Sequence, residues 1–309
     1  MANYIEQKTI QYIPLKKGAE NLCNNNDIQT DNNITNEYNF FKKYIDFDDE
    51  HVKALNEGEK EKDRYSNIKC YNHNILKIST ESKYINASPI NILNEKYFIC
   101  TQGPKNETID DFWTMVWEHK CNVIVMLCNE IEAGKEKCAK YWDESKIQKN
   151  YKLLIAEDII KKDYEIKEIF LYKIPFKYEK PIYQIHFTGW PDHGVPDFKD
   201  GKIFDVFIEI IKLVDKYKGI EPVIVHCSAG VGRTGTFVSM YYLGKEIKKQ
   251  IENKVNIIKF SIFNLVRKLK EMRLFLVQTE SQYRFIYEFV KHLLKKFNIY
   301  LFFMIRASL

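Results

Sequence analysis

The stretch VIVHCSAGVGRTGTF, residues 223–237, constrains the fold more than any other part of the sequence. Residues 222–226 are a short apolar run that ends at a histidine, which is typical of a buried strand. Residues 228–232 are small and include two glycines, so the backbone can turn tightly and leave its N–H groups free. A helical pattern begins at Arg233. A strand, a tight loop and a helix start build an anion site, because loop N–H groups converge there and the helix N-terminus adds partial positive charge.

Cys227 and Arg233 stand at the two ends of this loop, where they suit a phosphate group. The N–H groups between them would bind phosphate oxygens, and the planar guanidinium of Arg233 would pair with two of these oxygens. Cys227 would lie beneath the phosphorus as a thiolate, which the N–H groups, the helix dipole and the arginine favour. Thr234 would donate its hydroxyl to the sulfur, and His226 would shape the loop by hydrogen bonding rather than transfer a proton. The loop residues that would offer N–H groups are Ser228, Ala229, Gly230, Val231 and Gly232.

The composition is that of a globular protein with a modest positive charge. The chain has 309 residues, of which 45% are hydrophobic, so it holds one large domain or two small ones. The net charge of +5 suits an anionic ligand but is too small to indicate nucleic acid. The seven cysteines are scattered without zinc-site spacing, and the N-terminus lacks a signal-peptide pattern. We therefore expect a reducing, cytoplasmic location and no metal.

Strand-like and helix-like segments alternate through most of the chain. The apolar patterns predict strands at residues 97–102, 122–127 and 183–187. Thr108 is predicted to cap the first of three amphipathic helices. Strands mixed with long helices indicate an α/β domain with the cysteine loop at the C-terminal end of a strand. The helical faces comprise Ile109, Phe112, Trp113 and Val116; Phe204, Ile208, Ile211 and Val214; and Ile286, Val290, Leu293 and Leu294.

The stretch HCSAGVGRTG, residues 226–235, closely resembles the signature of the protein tyrosine phosphatase family. The resemblance extends over roughly residues 40–295. It implies a highly twisted, mixed central β-sheet flanked by α-helices, in a single, non-receptor-like, phosphotyrosine-specific catalytic domain without a cofactor. Further blocks that match the family are residues 84–88, 101–104, 111–118 and 137–142.

WPDHGVP, residues 190–196, is similar to the family's mobile acid loop. A tyrosyl leaving group has a pKa of about 10 and leaves poorly unless it is protonated. The resemblance implies that Asp192 is the general acid and that Trp190 serves as part of the loop's hinge. It also implies that Lys137 contacts this loop.

QTESQY, residues 278–283, is similar to the family's glutamine loop. A cysteinyl-phosphate must be hydrolysed, and a water must therefore be aimed at the phosphorus. The resemblance implies that Gln278 aims this water, that Gln282 assists, and that Asp192 acts as the base. By the same resemblance, Glu132 would hold Arg233 of the cysteine loop in place by a salt bridge.

DRYSNI, residues 63–68, is similar to the loop that recognises phosphotyrosine. Tyr65 would stack on the substrate ring and make the cleft deep enough to exclude phosphoserine. The chain departs from the family pattern twice, with Asp63 in place of asparagine and Asn67 in place of a backbone-binding aspartate. An amide accepts a hydrogen bond without charge assistance, so these departures bear on peptide affinity rather than on the chemistry.

The leading hypothesis is a protein tyrosine phosphatase that acts in signal transduction through two in-line displacements. One alternative is a binding module that captures phosphotyrosine without turnover, and another is a dual-specificity phosphatase with a shallow cleft. The presence of Tyr65 disfavours the dual-specificity alternative. We expect phosphotyrosine-containing proteins as partners and a monomeric chain.

The two ends of the chain differ from its middle. Residues 1–39 form an N-terminal segment whose Asn-rich part, 21–39, is predicted to be a loop or disordered linker. Residues 40–296 form the predicted catalytic domain, and 297–309 a short apolar tail. The apolar run in this tail is far shorter than the ~20 residues of a spanning helix, which leaves a packed segment or weak membrane contact as interpretations.

Overall fold

The structure is a computed structural model that describes residues 31–92, 98–146, 150–175, 179–191, 194–255 and 258–297. The predictions for residues 1–30, for residues 298–309 and for Asp192 therefore lie outside the described residues. No helix within the described ranges is long and apolar enough to cross a bilayer.

Seven helices and nine strands are described. The helices are α1 (Asp31–Phe41), α2 (Asp49–Lys53), α3 (Ile109–Glu118), α4 (Lys202–Tyr217), α5 (Gly232–Glu252), α6 (Ile262–Met272) and α7 (Glu280–Lys296). The strands are β1 (Ala87–Ile90), β2 (Phe98–Thr101), β3 (Val123–Met126), β4 (Ile131–Glu132), β5 (Lys135–Glu136), β6 (Tyr151–Ile160), β7 (Tyr164–Lys173), β8 (Glu179–Phe187) and β9 (Val223–His226). A π-helical turn at Lys42–Asp46 follows α1 directly.

Seven of these strands form one mixed sheet in the order β1-β2-β9-β3-β8-β7-β6. The pairs among β2, β9, β3 and β8 are parallel, and the remaining pairs are antiparallel. All four residues of β9 are buried, as expected for a central parallel strand that is covered on both faces. The predicted α/β fold with a mixed sheet is confirmed.

The cysteine loop lies between β9 and α5, as the sequence pattern predicts. His226, the last residue of β9, is paired in register with Thr101 at the end of β2 and with Met126 at the end of β3. The carboxyl ends of parallel strands meet at one edge of the sheet, so the loops after β2, β3 and β9 are brought together there. Residues from distant parts of the sequence therefore share one site.

The prediction of a loop or linker over residues 21–39 is wrong for its described part, because α1 begins at Asp31. Ile34, Tyr38 and Phe41 recur at helical spacing and are buried, and the ring of Phe41 stacks on that of Phe263 at 4.9 Å. Packing of this face outweighs the low helix propensity of the intervening asparagines.

Thr108 precedes α3 as predicted, but its hydroxyl does not cap that helix. The hydroxyl oxygen instead accepts a hydrogen bond from the N–H of Lys105 at 3.0 Å. It therefore closes the preceding 3₁₀ turn, Asn106–Thr108, rather than binding the N–H of Asp111.

Candidate active site

A cleft of about 390 Å³ opens beside the cysteine loop. Most of the residues predicted for the site line it, whereas Thr234, His226 and Trp190 lie buried around it. A larger cleft of about 600 Å³, lined in part by Lys167 and His186, contains none of the predicted residues. The predicted residues that line the smaller cleft are Tyr65, Asn67, Glu132, Lys137, Cys227, Ser228, Ala229, Gly232, Arg233, Gln278 and Gln282.

The carbonyl groups of the cysteine loop are all bound from outside the loop. The N–H of Gly103 donates to the carbonyl of Ser228 at 2.9 Å. The N–H groups of Gly235 and Val277 donate to the carbonyl of Val231 at 2.9 and 3.2 Å. The two carbonyls between these, of Ala229 and Gly230, accept hydrogen bonds from Arg273. Among the described residues, the backbone N–H groups of residues 228–231 have no backbone acceptor, so they are left for an anion.

Arg273, which the sequence patterns do not mark as a site residue, binds the two middle carbonyls of the loop. Its side chain is fully buried and donates to the carbonyl of Gly230 at 2.9 Å and that of Ala229 at 3.3 Å. It also donates to the side-chain oxygen of Asn86 at 2.7 Å and contacts the sulfur of Cys70 at 3.0 Å. Cys70 thus lies beneath the loop and does not line the cleft. The one sequence signal was an arginine within the apolar stretch MRLFLV.

Cys227 follows β9 and lies at the base of the cleft, with 5% of its surface exposed. The hydroxyl of Thr234, in the first turn of α5, donates to its sulfur at 3.3 Å. The loop is also held at Ser228. Its hydroxyl donates to the backbone carbonyl of Lys137 at 2.9 Å and accepts a hydrogen bond from the hydroxyl of Tyr65 at 2.8 Å. The tyrosine loop and the cysteine loop are therefore joined directly by a hydrogen bond.

Arg233 and Glu132 form a bidentate ion pair at 2.5 and 2.8 Å. Glu132 comes from the β4–β5 hairpin, and its carboxylate also accepts from the N–H of Asn129 at 2.9 Å. Burial raises the pKa of Glu132, but hydrogen bonds from Arg233 and Asn129 outweigh this effect and leave the pKa below its ordinary value. Arg233 also donates to the carbonyl of Pro191 at 3.1 Å, which places the start of the acid loop beside the cleft.

Trp190 anchors the start of this acid loop. Its side chain is 3% exposed and packs among Phe187, Phe207 and Phe285. Its indole N–H donates across the loop to the carbonyl of Gly194 at 3.2 Å. The predicted contact of Lys137 with this loop stays a prediction.

His226 is fully buried at the end of β9 and is bound at both ring nitrogens. Nδ1 lies 3.2 Å from the carbonyl oxygen of Cys227, so Nδ1 is the protonated nitrogen. Nε2 then accepts from the hydroxyl of Tyr141 at 2.9 Å, which itself accepts from Gln184 at 2.7 Å. Burial lowers the pKa of His226 to about 3, so the ring is neutral and orients the peptide group of Cys227.

The two departures in the tyrosine loop lie in different surroundings. Asp63 is buried and accepts hydrogen bonds from Tyr84 at 2.5 Å and from Asn86 at 2.9 Å. It therefore supports the scaffold beneath the cleft, and its effect on peptide affinity stays a prediction. Asn67 is exposed and lines the cleft, where a peptide can reach it.

The glutamine loop leads into α7 and uses its two glutamines differently. Gln278 is exposed and lines the cleft. Gln282 is buried, and its side-chain oxygen accepts from the N–H groups of Gln278 at 3.0 Å and Thr279 at 3.2 Å. The hydroxyl of Thr279 accepts in return from the N–H of Gln282, which completes a capping box at the helix start.

Comparisons with known proteins agree with this fold and site. The model of the protein-tyrosine phosphatase family matches residues 59–292. The chain belongs to this family. It is 36% identical over 243 residues to the tyrosine-protein phosphatase non-receptor type 20 of Rattus norvegicus, a match that covers 76% of this chain and 55% of the relative. It is 34% identical over 257 residues to the human non-receptor type 12 protein, covering 77% of this chain and 31% of that relative. The chain thus spans about half the length, or less, of these curated relatives.

Replacement of Gly230 by alanine should destabilise the fold strongly. Gly230 has a φ of +70°, and a Cβ atom there would lie 2.1 Å from the carbonyl oxygen of Thr101. We expect Gly230→Ala to lower the free energy of unfolding by about 3 kcal/mol or more, because strain and a backbone clash add. Gly134 is the matched control, since it has a φ of +72° and no atom within 4 Å of such a Cβ. Gly134→Ala should cost only about 1 kcal/mol. Equal losses in urea unfolding would contradict the role of the Thr101 contact.

Stability should fall as the pH drops below about 6.5, because His226 is held neutral. An unfolded histidine has a pKa of about 6.5, whereas that of His226 is lowered to about 3. The unfolded state therefore binds one more proton between these values. We expect this residue to contribute about 2 kcal/mol of stability loss between pH 7 and pH 5. In urea unfolding, the free energy of unfolding of His226→Asn should fall less between pH 7 and pH 5 than that of the wild type. An identical pH dependence in both proteins would show that His226 is not held neutral.

Proposed function

We propose that this chain is a metal-independent protein tyrosine phosphatase that acts through a cysteinyl-phosphate. The observation that carries this proposal is the cysteine loop, whose carbonyls are all bound from outside while Cys227 lies at its base. The bidentate pair with Glu132 supports the assignment of Arg233 as the phosphate-binding cation. The hydroxyl of Thr234, 3.3 Å from the sulfur, supports the assignment of Cys227 as the nucleophile.

In the first step, the thiolate of Cys227 attacks phosphorus in line with the tyrosyl oxygen. A sulfur–phosphorus bond forms, the bond to the tyrosyl oxygen breaks, and Asp192 donates a proton to that oxygen. The N–H groups of residues 228–233 and the guanidinium of Arg233 stabilise the negative charge on the equatorial oxygens. Because the loop N–H groups are fixed before substrate arrives, little reorganisation of these groups accompanies the reaction.

In the second step, a water attacks phosphorus and the thiolate leaves. Gln278 aims the water, and the carboxylate of Asp192 accepts its proton. The hydroxyl of Thr234 stabilises the departing thiolate by its hydrogen bond to the sulfur. The products are inorganic phosphate and the free enzyme.

Tyr65 gives the proposed specificity for phosphotyrosine. Its ring stands in the wall of the cleft, and its hydroxyl is tied to Ser228 of the cysteine loop at 2.8 Å. A phosphotyrosyl ring can stack on it and span the depth to Cys227, whereas the shorter phosphoseryl side chain falls short. We further propose phosphotyrosine-containing signalling proteins as substrates, a monomeric chain and a cytoplasmic location. A reduced thiol nucleophile suits that compartment.

Phosphate release from two peptides tests this function. We expect release from a phosphotyrosyl peptide but not from its phosphoseryl twin, with EDTA present, and no release by Cys227→Ser. The variant Cys121→Ser is the control, because this buried cysteine lies outside the cleft. Binding of the phosphotyrosyl peptide without release by the wild type would replace the proposal with a binding module.

The variant Asp192→Ala should bind a phosphotyrosyl peptide but turn it over about 100 times or more slowly, because the leaving group is no longer protonated. Asp197→Ala is the matched control, since Asp197 is an exposed aspartate in the same segment whose carboxylate accepts the N–H of Lys199. Turnover and peptide dissociation constants should be measured for both. Equal losses of binding and turnover in Asp192→Ala would argue against its role as the acid.

A further inference from the structure

Helix α1 lies before the residues matched by the family model and packs against the glutamine loop. The hydroxyl of Tyr38 donates a hydrogen bond to the backbone carbonyl of Gln278. One turn earlier, the hydroxyl of Thr35 donates to the carboxylate of Glu280 at 2.8 Å. Helix α1 thus contacts Gln278, which lines the cleft, and the first turn of α7.

Neighbouring contacts fix the position of Tyr38. Its side chain is 2% exposed, and its ring centroid lies 6.1 Å from that of Tyr283. Glu37, the preceding residue, is buried and accepts hydrogen bonds from the hydroxyls of Tyr283 and Tyr287, both at 2.6 Å. These bonds set the rotation of α1 about its axis and hence the direction of the Tyr38 hydroxyl.

The π-helical turn after α1 anchors the same segment a second time. Asp46 and Lys270 form an ion pair at 2.8 Å, and both side chains are almost entirely buried. Such a pair is costly to separate, because each charge would remain uncompensated in the interior. The segment from α1 to Asp46 is therefore held firmly against α6 and α7.

The backbone of the glutamine loop needs such support. Val277, just before Gln278, has a φ of +60°, a conformation that β-branched residues rarely adopt. Its N–H donates to the carbonyl of Val231 in the cysteine loop at 3.2 Å, and the N–H of Gln278 donates to the side chain of Gln282 at 3.0 Å. The bond from Tyr38 restrains the carbonyl of Gln278.

We propose that Tyr38 is a positioning residue for the second chemical step, acting through the backbone of Gln278. This inference rests on the proposed function, in which Gln278 aims the hydrolytic water. The first step uses Cys227, Arg233 and Asp192, and the described contacts of Cys227 and Arg233 do not involve α1. Loss of the Tyr38 hydroxyl therefore slows hydrolysis of the cysteinyl-phosphate and leaves its formation unchanged.

Rapid mixing of Tyr38→Phe with p-nitrophenyl phosphate tests the inference. The rate of the nitrophenol burst reports formation of the cysteinyl-phosphate, and acid quenching measures the fraction of enzyme that carries phosphate at steady state. Removal of one hydrogen bond should slow hydrolysis about fivefold and raise the ratio of phosphorylated to free enzyme by the same factor. Partial unfolding would lower the fraction of enzyme that carries phosphate, which is the opposite of the rise expected from slower hydrolysis.

Tyr164→Phe is the matched control, because it removes the hydroxyl of another buried tyrosine, which donates to Glu209 at 2.7 Å and has no described contact with α1 or Gln278. We expect its ratio of phosphorylated to free enzyme to equal that of the wild type. A shift of equal size in both variants, or no shift in Tyr38→Phe, would overturn the role of Tyr38 while leaving the phosphatase intact. Absence of both nitrophenol release and phosphoenzyme in the wild type would instead overturn the proposed function, and this inference with it.

Discussion

The site depends on how the peptide groups of the cysteine loop are oriented. A buried loop can offer its N–H groups to an anion only if its carbonyls find donors elsewhere. Here those donors are Gly103, Gly235, and Arg273 with Val277, which come from three separate parts of the chain. The anion site is therefore a property of the tertiary fold as much as of the local sequence, and the central position of β9 makes it possible.

The groups around the thiol are restrained by the same means. Glu132 fixes the plane of Arg233, and the neutral ring of His226 fixes the peptide of Cys227. Rigid donors cost no reorganisation when charge develops, which is how preorganised sites accelerate group transfer. Each restraint comes from a different element, so the sheet edge must assemble before any of them is effective.

This dependence explains what the sequence could predict. The strand, loop and helix around Cys227 are contiguous, so local pattern and composition were sufficient to predict them. Arg273 was missed because its acceptors lie more than 40 residues away in the loop. Burial of Asp63 also depends on partners that come later in the chain, Tyr84 and Asn86. The apolar spacing of α1 was present but was masked by the asparagines around it.

In the glutamine loop, such restraints place two residues of the same type, Gln278 and Gln282, in different roles. The side-chain oxygen of Gln282 already accepts two backbone N–H groups, so only its NH₂ group is left to meet a ligand. That group lies close to Gly232, where a Cβ atom would come within 2.9 Å of it. Because Gln282 is committed to the helix cap, it cannot simply turn away from a larger residue at 232. The backbone of Gln278 is held from both sides, but its side-chain amide has no hydrogen-bond partner among the described residues and is therefore available for the proposed role in aiming water.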